Sequence, residues 1–283
     1  MDDLNFTIPP AKPSYDTKVA LKYFKASGST MNVAAGHTIF AENEKSNPFL
    51  LQRDKMYFLL EGEVGLTVNN TQVWVIHNGE LFGEMGLITR MPRTATATAK
   101  TDCRLYTLTS SQLYAALNTA PEFGLLLMSI MITRLRDTIS FLKANGGLPS
   151  HEELKDAEVF DKKLLDKLAD ELDDSAHIRY AADKVIIQEG QSGVFMYVVL
   201  QGAVEVAVQN NIVGRIERGG LFGEMALITR EERVASAIAL TDCELLSISR
   251  NVFLELVCSN PKFAVSLLSA VGNRARFMAS LRD

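Results

Sequence analysis

A chain of 283 residues and 31.2 kDa is too long for a typical single domain and suits two of about 140 residues each. With 47% hydrophobic and 22% charged residues it has the composition of a folded soluble protein, which excludes a disordered chain. Its 29 Lys and Arg against 34 Asp and Glu give a net charge of −5, the wrong sign for a broad basic surface that binds nucleic acid.

Along the chain, Met1-Asp2-Asp3-Leu4 lacks the basic and apolar regions of a signal peptide. Val64, Leu66 and Val68 alternate with Glu63, Gly65 and Thr67 up to the polar pair Asn69-Asn70. A second apolar run follows, so the spacing predicts a β-hairpin with Trp74 as a packing residue. Leu81-Phe82-Gly83-Glu84-Met85-Gly86-Leu87-Ile88-Thr89-Arg90 comes next, then Met91-Pro92-Arg93-Thr94-Ala95-Thr96-Ala97. Past Leu108 the period becomes helical. Pro121 suits a helix start, and Leu135, Ile139 and Leu142 make one apolar stripe. The apolar stretch around Leu125 to Ile132 is far short of the ~20 residues that span a bilayer.

Asn145-Gly146-Gly147-Leu148-Pro149-Ser150 reads as a hinge, and residues 151–174 carry 10 Asp/Glu against 4 Lys, a solvated acidic helix. The pattern then repeats. Leu221-Phe222-Gly223-Glu224-Met225-Ala226-Leu227-Ile228-Thr229-Arg230 restates the first run 140 positions on, as do Tyr57/Tyr197, Gly62/Gly202, Thr101-Asp102-Cys103/Thr241-Asp242-Cys243, Pro121/Pro261 and Arg134/Arg274. Upstream, the first copy holds seven extra residues around Asn47-Pro48-Phe49, an enlarged surface loop. Leu268, Val271, Ala275, Met278 and Leu281 form the second helical stripe. The expected fold is mixed α+β: two tandem jelly-roll-like β-rolls, each flanked by helices and closed by a long C-terminal helix. The expected domains are 1–145 and 146–283.

The residues that carry chemistry lie in the repeated run. Gly83 to Leu87 can form a short turn with outward backbone N–H groups, and glycine permits close approach to that backbone. The planar fork of Arg93 suits a pair of phosphate oxygens. Glu84 between them suits a ribose-like hydroxyl. The scattered histidines His37, His77, His151 and His177 and the cysteines Cys103, Cys243 and Cys258 show no metal-ligand spacing. No Gly-rich nucleotide loop or nucleophile elbow is present, so neither enzyme chemistry nor a resident cofactor is expected.

Gly79 to Leu87 together with Pro92-Arg93-Thr94-Ala95-Thr96 resembles the phosphate-binding cassette of the cyclic-nucleotide-binding domain family. Phe222 to Leu227 with Arg233-Val234-Ala235 resembles it again. The likeness covers nearly the whole chain from about residue 30. It implies that Arg93 holds the cyclic phosphate and Glu84 the ribose 2′-hydroxyl, with Gly83, Met85, Gly86, Thr94 and Ala95 completing the first site. Gly223, Glu224, Met225, Ala226, Arg233, Val234 and Ala235 serve the second. Phe141 and Phe277 on the trailing helices are candidate lids over the base.

The second copy departs from the pattern, with Glu232 for Pro92 and Val234 for Thr94. Glu231-Glu232 is expected to weaken the positive field at Arg233. The implied protein is a cytoplasmic, non-enzymatic receptor that prefers cAMP to cGMP and signals by conformational change to an effector protein. The chain is expected to end at the second trailing helix, without a helix-turn-helix. Met1 to Thr30 holds no Arg-Arg-x-Ser/Ala inhibitory segment. The alternatives are the regulatory subunit of a separate effector, or a ligand-independent docking or dimerisation protein; the apolar helix stripes permit a homodimer.

Overall fold

The computed structural model describes residues 16–45, 55–148, 154–155 and 159–281. The extra residues Asn47-Pro48-Phe49, the N-terminal Met1 to Leu4, and Pro149, Ser150 and His151 lie outside the described residues. The chain forms two compact units, Met1–Thr119 and Ala120–Asp283.

In the first unit, helix α1 (Thr17–Ser27) starts on Asp16, whose carboxylate accepts from the Lys18 N–H at 2.8 Å. Strands β1 (Ser29–Val33), β2 (Thr38–Phe40), β3 (Lys55–Glu61), β4 (Val64–Val68), β5 (Thr71–Ile76) and β6 (Leu81–Phe82) lead into the short helix α2 (Glu84–Thr89). Strands β7 (Thr96–Ala99) and β8 (Cys103–Thr109) and helix α3 (Ser110–Thr119) complete it. Two antiparallel four-stranded sheets, in the orders β1-β8-β3-β6 and β2-β7-β4-β5, enclose the core. The expected hairpin joins β4 to β5. Its turn residues Asn69 and Asn70 both have positive φ, as the turn that matches strand twist requires. Trp74 packs against the core from its edge, as the alternation implied.

The second unit opens with α4 (Pro121–Asn145), whose N1 proline and C-terminal Gly146 at φ 67° mark both ends. Next come β9 (Leu154–Lys155) and α5 (Lys162–Glu171), the latter capped by Asp161. Among the described residues of the acidic segment, the helix is Lys162–Glu171. Strands β10 (His177–Tyr180), β11 (Val185–Ile187), β12 (Phe195–Gln201), β13 (Val204–Val208), β14 (Asn211–Ile216) and β15 (Leu221–Phe222) follow, then α6 (Glu224–Thr229), β16 (Ser236–Ala239), β17 (Cys243–Ser249), α7 (Arg250–Ser259) and α8 (Pro261–Ser280). The sheets are β10-β17-β12-β15 and β11-β16-β13-β14-β9, with β9 pairing parallel to β14.

The two β-rolls have equivalent cores. Tyr57, Val64, Ile76, Phe82, Ala97 and Leu105 fill the first, and Tyr197, Val204, Ile216, Phe222, Ala237 and Leu245 stand in their places in the second. Each large side chain so buried stabilises its roll by about 1.5–3 kcal/mol. The repeated Thr-Asp-Cys is a backbone staple. Asp102 accepts from the Ala35 N–H and Thr101 from the Glu63 N–H, while Asp242 and Thr241 do the same for Ala182 and Ala203. Cys103 and Cys243 are buried, and each donates its S–H to the carbonyl of Glu63 or Ala203.

The Gly-Gly breaker places a boundary after residue 145, but the compact units divide one helix earlier. The cause is packing. α4 lies on α8 and also meets α6 and α7 of the second repeat. Among the described residues, no single helix is long and apolar enough to cross a membrane, and no group of three or more His, Cys, Asp or Glu is placed to hold a metal ion.

Candidate ligand-binding site

In the first repeat the chain leaves β6 through Gly83, whose φ of 76° lies in the left-handed region that glycine adopts without strain. This turn buries Glu84 to 1% exposure at the start of α2. Arg93 returns ten residues later and is itself 6% exposed. Its guanidinium donates to the carbonyls of Gly83 at 2.6 Å and Lys55 at 2.8 Å, and stacks 4.4 Å from the centre of the Phe40 ring. The Arg93 backbone is fixed by exchanged bonds with the loop after β2: Asn43 N–H to Arg93 O and Arg93 N–H to Glu44 O. Gly86 sits against the same side chain, and a Cβ there would lie 3.1 Å from Arg93 Cδ. Ala95 is buried and Thr94 exposed beside it.

The second repeat rebuilds this arrangement. Gly223 has φ 83°, and Glu224 is 1% exposed. Arg233 donates to the carbonyls of Gly223 and Phe195, each at 2.6 Å. Burial pushes its guanidinium below the usual range against the opposing charges of Tyr197 and Glu224, and arginine stays charged at neutral pH regardless. Gly190 and Gln191 replace Asn43 and Glu44 in the exchanged backbone bonds. Two further residues complete the site. Arg274 on α8 pairs with Glu224, Nη1 to Oε1 at 2.7 Å, and donates to the Leu221 carbonyl. Gly193 lies under Arg233, where a Cβ would come within 2.0 Å of its Nε.

A cavity of about 110 Å³ opens beside these groups. Gly223 to Ala226 and Arg233 to Ala235 form one wall, and the aliphatic residues Val206, Val208, Val213 and Ile216 another. Leu135 and Ile139 of α4 close it, with Arg274 and Met278 of α8. Phe277 is not among the residues lining this second-repeat cavity, where Met278 of the same helix stands; Phe141, on the trailing helix of the first repeat, is 48% exposed. Of the acidic pair, Glu231 is turned toward Arg136 of α4, 3.0 Å from its Nε.

The profile of the cyclic nucleotide-binding domain matches residues 30–120 and again residues 177–260. The chain belongs to this family. Its two cyclic nucleotide-binding domains are thus in tandem, each a β-roll with the cassette between its sixth and seventh strands. The cAMP-dependent protein kinase regulatory subunit of Eremothecium gossypii is 28% identical over 205 residues, which make up 72% of this chain and 40% of that protein. The chain thus spans less than half the length of this curated relative. Among solved structures, the regulatory domain of Toxoplasma gondii protein kinase A with cAMP is 22% identical, covering 87% of this chain and 88% of that one at a TM-score of 0.31. The regulatory subunit of a cAMP-independent protein kinase A from Trypanosoma brucei is 19% identical, covering 89% and 88% at a TM-score of 0.31.

Within this family framework, the sequence-predicted residues of each cassette are brought together on one short segment. Gly193, Arg136 and Lys143 carry no motif and are visible in the fold alone. Arg274 has one sequence signal, its repetition of Arg134 at the common offset.

Proposed function

We propose that this chain is a non-enzymatic cyclic-nucleotide receptor that binds cAMP in preference to cGMP and passes the binding event to a separate protein. In each repeat the arginine, Arg93 or Arg233, takes the cyclic phosphate, and the carboxylate, Glu84 or Glu224, takes the ribose 2′-hydroxyl. The observation that carries this reading is the duplicated pairing of a buried arginine and a buried glutamate on one cassette. A buried arginine whose donors rest on backbone carbonyls can redirect them to an anion that forms stronger, charge-assisted bonds. The aliphatic wall of the second cavity and Val234 favour adenine. A guanine 2-amino group left unpaired there costs about 1–3 kcal/mol. Similarity to a kinase regulatory subunit over 72% of the chain supports a protein kinase catalytic subunit as the effector. Ligand binding moves such an effector only as far as the nucleotide favours one arrangement of the receptor over another.

Thermal melting with cAMP, cGMP and 5′-AMP tests the reading. Cyclic AMP at 100 times its Kd stabilises by about 2.7 kcal/mol, and less stabilisation is expected from cGMP. No change with either cyclic nucleotide leaves the ligand-independent docking protein as the better description.

A further inference from the structure

The second cavity is smaller than the ligand assigned to it. Sites that take a small ligand measure about 300–1,000 Å³, and this one measures about 110 Å³. Part of the missing space is occupied by α4, whose Leu135 and Ile139 are buried against the cavity. The same helix is fastened to the cassette by charge. Arg136 pairs with the Glu231 carboxylate at 3.0 Å and donates to the Glu232 carbonyl at 2.9 Å. Two turns along, Lys143 pairs with Glu189 at 2.5 Å and reaches the Val234 carbonyl at 3.4 Å. These acceptors bracket Arg233 on both sides, and Glu189 precedes the Gly190 that bonds the Arg233 backbone.

We propose that α4 is an autoinhibitory strap across the second site: Leu135 and Ile139 fill space that a nucleotide needs, and Arg136 and Lys143 latch the helix to the cassette. The strap rests on the reading of the second repeat as a nucleotide site. A lid that closes on its ligand encloses a ligand-sized space; this helix leaves roughly a tenth to two-fifths of one. Nucleotide and α4 therefore compete for the same cassette, and weakening the latch tightens binding. The Arg136–Glu231 and Lys143–Glu189 pairs are bonds between the helix and the cassette region, so loss of both lowers the cost of opening without touching a residue assigned to the ligand.

The test uses the full chain carrying Arg93→Ala, so that calorimetry with cAMP reads the second site. Arg136→Gln with Lys143→Gln is expected to raise its affinity about tenfold, the effect of about 1.4 kcal/mol. The exchange Arg136→Glu with Glu231→Arg restores the pair and is expected to return affinity toward the starting value. It also keeps the charges, should the double Gln variant melt early. Unchanged affinity in the Gln variant overturns the strap, and reduced affinity shows α4 to be a lid that closes on the nucleotide. Absence of binding to the second site in every variant overturns the nucleotide reading of that repeat, and the strap with it.

Discussion

Arg274 holds its Nη1 2.7 Å from Oε1 of Glu224, a carboxylate with 1% of its surface exposed. The glutamate of the second cassette is thus oriented by the closing helix of its own domain. Removing one partner of a buried pair leaves an uncompensated charge and typically costs about 3–5 kcal/mol. Arg274→Ala is expected to destabilise the second unit on that scale in urea unfolding. A midpoint equal to that of the parent shows that Glu224 finds another partner.

Arg93 and Arg233, the arginines proposed to take the phosphate, are expected to control separate binding events. Truncating one member of a desolvated charge pair costs about 2–5 kcal/mol, or roughly 1.5 to 3.5 decades of affinity. Arg93→Ala and Arg233→Ala should each remove one class of sites in cAMP calorimetry and leave the other in place. Retention of both classes in either variant refutes the assignment.

Gly193→Ala is expected to damage the second site alone. The added Cβ meets Arg233 Nε at 2.0 Å, nearer than any tolerated contact, so the guanidinium must leave its seat on the Gly223 and Phe195 carbonyls. Loss of second-site binding with first-site binding retained is the expected titration. A variant that binds like the parent places Arg233 elsewhere in the bound form.

Alkaline pH should destabilise the fold. Burial raises the Tyr57 and Tyr197 phenols above 10.0 and the Cys103 thiol above 9.0. In each case the folded protein favours the neutral form, so the unfolded chain ionises first. The stability these groups contribute is complete below about pH 9 and is lost as pH rises through the folded values. Urea midpoints measured from pH 8 upward are expected to fall, and Tyr57→Phe to flatten part of the decline. A midpoint that climbs with pH contradicts the shifts.

The duplicated β-rolls were legible because Tyr57, Phe82 and Thr101-Asp102-Cys103 recur at one spacing, and strand alternation shows in both copies. The cassette glutamates and arginines were legible because their chemistry depends on a fixed local distance along the chain. Arg136, Lys143 and Gly193 were not. Arg136 and Lys143 meet Glu231 and Glu189 across long stretches of sequence, and a lone glycine carries no sign of what packs over it. The split of the chain before α4 was hidden for the same reason: Gly146-Gly147 is a local breaker, whereas the allegiance of a helix is decided by what its apolar face covers.

The parallel pairing of β9 with β14 gives the two repeats different borders. In the second roll the linker backbone occupies the outer hydrogen-bonding groups of β14 at Gly214 and Arg215. In the first roll β5 is the last strand of its sheet among the described residues, and Val73 on it is exposed. A terminal strand with open N–H and C=O groups is a template for another chain. A charge placed at Val73 is therefore the conservative way to keep this border of the first repeat from pairing with another chain when the protein is concentrated.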